Sequence, residues 1–147
     1  MTLPVITSPH RLTCHCGAVE IAVTLSGGLD TARRCDCSYC RRRGAVALTA
    51  RLDGLQIIRG AEALSLYQFG THTAQHYFCR HCGIYTHHRR RSNPHEYGIN
   101  AACLEGVNPR DLDPVPWTDG VHHPSDQPEP REGTPDAGPN PTPDQPS

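Results

Sequence analysis

The chain has 147 residues, 36% of them hydrophobic, which is enough for one domain with a real core. A formal net charge of -1 names no partner, and no run reaches the roughly 18 apolar residues that a membrane helix needs, so nothing in it is expected to span a bilayer. The charge is uneven, with basic residues dominating from Arg33 to Arg91 and acidic residues and prolines gathering after Asp111.

Chain order begins with a leader containing Pro4 and Pro9 and then reaches Cys14-His15-Cys16-Gly17. Val19, Ile21, Val23 and Leu25 alternate with smaller or polar residues, the period-two pattern of a strand with one buried face. Gly27 and Gly28 end that strand. The chain then enters Arg33-Arg34-Cys35-Asp36-Cys37-Ser38-Tyr39-Cys40-Arg41-Arg42-Arg43, where three cysteines lie within six residues. A disulfide between Cys35 and Cys37 would close a strained ring, and pairing Cys37 with Cys40 would leave Cys35 over. Ligation of zinc uses all three sulfurs without strain. Structural zinc sites are closed by four protein ligands, whereas catalytic ones keep a position open, so three local cysteines predict an open site. The flanking arginines favour ionised thiols and can pair with carboxylates of an acidic substrate, Arg34 and Arg41 being the two assigned that second task. Asp36 is expected to point away from the metal.

Further short extended runs are expected at residues 45–50, 55–59, 64–69, 75–79, 83–87 and 96–100, with no long amphipathic helix between them. This pattern predicts a mainly β, antiparallel architecture. Cys79-Arg80-His81-Cys82-Gly83 is a C-x-x-C-G turn of the zinc-binding kind. Its unclaimed partner is Cys14 with Cys16, and joining the two pairs gives a closed four-cysteine site that ties the start of the sheet to a later hairpin. Two zinc ions per chain are expected. Residues 1–117 form the expected domain, and residues 118–147, rich in proline and poor in apolar side chains, are expected to remain disordered, with Trp117 the last residue to dock. Eight cysteines, together with residues 1–11 lacking an apolar core and a basic start, predict a reducing, cytoplasmic setting and metal rather than disulfides.

The complete pattern is C-x-C-G, then R-x-C-x-C-x-x-C, then F-C-x-x-C-G, followed by Arg91-Ser92-Asn93-Pro94, Gly98-Ile99 and Cys103-Leu104. It resembles the glutathione-dependent formaldehyde-activating enzyme family, which includes centromere protein V, over about residues 12–112. The resemblance implies a β-tent of twisted antiparallel sheets. It places Cys14, Cys16, Cys79 and Cys82 at a structural zinc, and Cys35, Cys37 and Cys40 at a catalytic zinc. It also implies a carbon–sulfur lyase chemistry on thiol–aldehyde adducts, with glutathione and formaldehyde as partners.

A second reading is a zinc-stabilised binding module, in which His76, His81 or His87 closes the Cys35–Cys37–Cys40 site and the arginine runs contact a polyanion. The near-zero net charge and the scarcity of aromatic residues argue against nucleic acid. None of the histidines is assigned to catalysis. Cys103 is read as a small buried apolar residue rather than a reserve ligand, and Tyr39 as packing against Tyr85 and Phe69.

Overall fold

The computed structural model describes residues 3–122, so most of the Pro-rich segment expected to be disordered lies outside the described residues. Seven strands form one antiparallel sheet: β1 (His10–Thr13), β2 (Glu20–Leu25), β4 (Ala47–Arg59), β5 (Leu64–Tyr67), β6 (Gln75–Cys79), β7 (Tyr85–Arg89) and β8 (Glu96–Asn100). Their spatial order is β1-β2-β4-β8-β7-β6-β5. Two further short strands, β3 (Arg34–Cys35) and β9 (Trp117–Thr118), pair in parallel beside it. The molecule is mainly β, as expected from the sequence. Among the described residues the one α-helix, α1 (Ser38–Arg43), has six residues.

Alternation along β2 does what the pattern requires, because Ile21 and Val23 are fully buried while Thr24 is exposed. Val19, Leu12, Leu48, Ile99 and Leu104 complete the same core. Two differences from the sequence expectation stand out. Residues 45–50 and 55–59 are not separate strands but the two halves of β4, which continues through Gly54. A Cβ on Gly54 would lie 2.8 Å from Thr24 O, so only glycine lets β2 approach where the register shifts. The second difference is β1, which pairs with β2 over His10–Thr13 and carries too little alternation of its own to be read as a strand.

β4 lies between β2 and β8, pairing with β8 over residues 47–51 and with β2 at Ala50 and again over residues 55–59, with a register shift between. Cys14 follows β1 and Cys79 ends β6, positions five strand spacings apart, or about 24 Å across a flat sheet. Yet Cys16 Sγ lies 3.7 Å from Cys79 Sγ. The sheet is therefore folded into a tent whose two slopes meet at the cysteines.

Candidate metal centre

Two clusters of cysteine sulfurs are present, and within each all the sulfurs lie within 4.8 Å of one another. Cys14, Cys16, Cys79 and Cys82 form the first, and Cys35, Cys37 and Cys40 the second. All eight cysteines are free of disulfides. The partition is the one that spacing predicts.

In the four-sulfur cluster, Cys14 Sγ to Cys16 Sγ and Cys16 Sγ to Cys79 Sγ are both 3.7 Å. Tetrahedral zinc with bonds near 2.3 Å sets sulfur–sulfur edges of about 3.8 Å, so this donor set fits that ion and is far too wide for an S–S bond. Val19 N–H donates to Cys14 Sγ at 3.3 Å, a bond that favours the Cys14 thiolate, and His81 N–H donates to Cys79 Sγ at 3.4 Å. Cys103 is buried nearby but outside the cluster. Its thiol donates to Tyr85 O, and burial pushes it up to about 12, the behaviour of a packed thiol rather than a ligand.

The three-sulfur cluster is built at the start of α1. Cys37 is the N-cap residue, with extended backbone and a sulfur that accepts from Cys40 N–H at 3.3 Å. Gly44, at φ 70°, closes the helix in the left-handed conformation that glycine adopts without strain. Hydrogen bonds from Cys35 and Cys40 hold the Cys37 sulfur far below the usual thiol range, and the same sharing raises Cys35 and Cys40. Asp36 faces away, accepting from Gly120 N–H at 2.8 Å. The segment after β9 consequently lies over the knuckle, and a Cβ on Gly120 would sit 2.4 Å from Cys35 Sγ. The docked chain therefore runs past Trp117, whose side chain is 59% exposed, to a buried Gly120.

The arginines around the knuckle separate into different tasks. Arg34 donates through Nη1 to Gly44 O at 2.7 Å and lies over the Trp117 ring at 5.9 Å. Arg41 is exposed. Arg43, not singled out by the sequence, is turned inward. It donates from Nη2 to Cys40 Sγ at 3.3 Å and from Nη1 to His76 Nδ1 at 3.1 Å. Its Cζ sits 3.7 Å from the Tyr85 ring centre and 4.9 Å from that of Tyr39. Since arginine only donates, His76 Nδ1 must be the acceptor and the imidazole proton sits on Nε2. Burial and the Arg43 charge lower His76 to about 3, so it stays neutral. Helical spacing carries the missed signal: Cys37, Cys40 and Arg43 follow at intervals of three along α1, on one face.

An aromatic wall stands beside these groups. Tyr39 packs against Tyr67, Phe69 and His76 with ring centres 5.3, 5.4 and 4.5 Å apart, and Phe69 stacks on His76. Tyr39 packs as expected, although Arg43 rather than direct contact links it to Tyr85. Neither His76, His81 nor His87 joins the three sulfurs in a cluster among the described residues.

The sequence matches the family of glutathione-dependent formaldehyde-activating enzymes over residues 9–117. The chain belongs to this family. It is also similar to a Rhodobacter sphaeroides protein of known crystal structure, with 72% identity, 74% of this chain and 99% of that chain covered, and a TM-score of 0.72. The family match takes in both cysteine clusters and the whole sheet. The formaldehyde-activating family therefore supplies the general chemistry, and the two clusters supply places able to hold metal ions.

Proposed function

We propose that this chain is a zinc-dependent carbon–sulfur lyase acting on thiol–aldehyde adducts, with glutathione plus formaldehyde to S-hydroxymethylglutathione as the first pair to test. The observation that carries the reading is the unequal number of donors: four sulfurs in one cluster and three in the other. Four thiolates saturate zinc and leave it structural, whereas three leave room for substrate. Zinc held by Cys35, Cys37 and Cys40 would supply a Lewis-acid position that favours the ionised form of a thiol.

The protein's own residues do the rest. Arg43 sets a positive charge against the knuckle, donating to Cys40 Sγ at 3.3 Å. Tyr39, Tyr67 and Phe69 line one side with apolar surface. Arg41, exposed at the rim, is the arginine left to meet a substrate carboxylate, while one donor of Arg34 is already taken by Gly44 O. In the synthetic direction the thiol sulfur attacks the aldehyde carbon, a C–S bond forms, the C=O π bond breaks and its oxygen takes a proton. Lysis reverses each change. Eight free thiols suit a reducing compartment such as the cytoplasm.

The alternative, a non-catalytic module binding through its arginines, is disfavoured by where they sit. Arg43 and Arg90 point inward, Arg34 caps α1 and Arg33 reaches toward Glu96, so the runs do not form one cationic face. Metal analysis of the intact chain and of Cys37→Ser, paired with glutathione titration, tests the proposal. The expected outcome is two zincs falling to one with thiol binding lost alongside. Two zincs in the intact chain and no thiol binding would overturn it in favour of a closed second site.

A further inference from the structure

Arg43 uses Nη1 and Nη2, yet its Nε is buried with no hydrogen-bond partner. A buried N–H on a permanent cation is costly to leave unpaired, and arginine cannot shed the proton. The group is held against the rings of Tyr85 and Tyr39, with Cζ 3.7 and 4.9 Å from their centres, rather than turned out to water. No carboxylate pairs with Arg43 among the described residues. In a planar guanidinium Nε–H and one Nη2–H lie side by side on the same edge, the fork that binds anions. Nη2 donates to Cys40 Sγ at 3.3 Å, and Nε lies across one guanidinium edge from it, about 2.3 Å away, so the unpaired Nε–H is close to the knuckle.

We propose that Arg43 Nε–H receives the sulfur of the thiol taken at the Cys35–Cys37–Cys40 knuckle, which makes Arg43 a contact of the reacting atom rather than a carboxylate clamp. The inference rests on the thiol-binding reading above. On binding, the thiol proton passes to solvent and the resulting anionic sulfur accepts from Nε–H. That pairing satisfies the orphaned donor and adds a charge-assisted bond that a neutral thiol would form only weakly. The donor cannot move, because His76, Cys40 and the two tyrosines fix the guanidinium. The knuckle then selects an anionic donor atom at one place, whatever the remainder of the thiol carries.

Two thiols separate this from carboxylate recognition: glutathione, and 2-mercaptoethanol, which has no carboxylate. Calorimetric titration of the metal-loaded full chain with each would be compared between wild type, Arg43→Gln and Arg43→Lys. Metal content and the thiolate charge-transfer bands of cobalt-substituted protein report whether the knuckle is intact. Both variants are expected to keep their metal and to weaken both thiols by a similar factor, on the order of ten to a hundredfold. Weakening of glutathione alone would overturn the proposal by assigning Arg43 to carboxylates, and unchanged affinity for both would overturn it outright. If wild type binds neither thiol, the thiol-centre reading falls and takes this inference with it. Should the variants lose metal or fail to fold, nitrogen-15 NMR of wild type decides: the Arg43 Nε–H resonance is expected to shift and exchange more slowly on adding 2-mercaptoethanol. A resonance that does not move overturns the assignment.

Discussion

At the residue scale, the cysteines were legible and their electrostatic partners were not. Cysteine spacing restricts which sulfurs can meet, so both clusters followed from C-x-C and C-x-x-C alone. Five arginines around one knuckle carry no such restriction. Arg34 lies in β3, and Arg43 differs from Arg41 in the face of α1 it occupies; its spacing of three from Cys40 becomes a signal only once residues 38–43 are known to be helical, and a six-residue helix is too short to announce its own period. Buried histidines were equally silent in the sequence. His87 stacks on Tyr77 at 4.7 Å and meets Tyr97 edge-on, and burial lowers it from 6.5 to about 4. Its folded pKa lies below the unfolded one, so the unfolded chain takes up the proton first. The stability it contributes is complete above pH 6.5 and is lost as pH falls toward 4. His76, lowered to about 3, and His88, which burial holds well below the usual imidazole value, act with the same sign. Replacing His87→Phe keeps the stacking and removes one titrating group. Urea midpoints at pH 7 and pH 5 are expected to show the variant losing about 2 kcal/mol less than wild type on acidification. Equal losses would mean that His87 does not remain neutral in the folded protein.

At the scale of elements, strands were read well where alternation is strict and poorly where pairing decides. β2, β6 and β8 lie within or close to the expected ranges. β1 and the continuity of β4 depend on partners distant in sequence, and so does the parallel pairing of β3 with β9. That last pairing matters for the site. Arg34 N–H donates to Pro116 O, Asp36 N–H to Thr118 O, and Gly120 N–H to Asp36, so the segment from Pro116 to Gly120 straps the knuckle from outside. Little in a Pro-rich sequence signals this, because apart from Thr118 Oγ1, which donates to Arg34 O, the strap makes these contacts through its backbone. Gly120→Ala would push a methyl group against Cys35 Sγ and Cys37 Cβ. Overpacking of that kind costs on the order of 1–3 kcal/mol, so metal affinity at the three-cysteine site is expected to fall roughly ten- to a hundredfold. Competition with a chromophoric chelator would measure it, and the four-cysteine site should be unaffected. Simultaneous loss at both sites would indicate instead that the strap holds the whole domain.

At the scale of the molecule, the two slopes of the tent meet at one cluster of four cysteines. Sheet order puts β1 and β6 far apart, while Cys14 and Cys16 after β1 meet Cys79 and Cys82 of the β6–β7 turn. The sequence pointed to the pairing of these cysteines but not to the curvature it demands, since the irregularity where β2 crosses Gly54 of β4 depends on a close approach of two strands distant in sequence. Pinning residues 63 positions apart, as Cys16 and Cys79 are, removes much of the freedom of the unfolded chain. The two clusters should therefore answer differently to the same loss of one thiol. Cys79→Ser removes a buried sulfur from the four-cysteine cluster and is expected to destabilise the metal-loaded fold by at least about 3 kcal/mol, with a broadened or lost thermal transition. Cys37→Ser removes a ligand from a knuckle that bridges only six residues of chain, and its melting temperature should stay within a few degrees of wild type. Calorimetric scans of both variants beside the metal-stripped protein decide the matter. If Cys37→Ser melts as early as Cys79→Ser, the three-cysteine centre is itself a structural support, and the division of labour between the clusters fails.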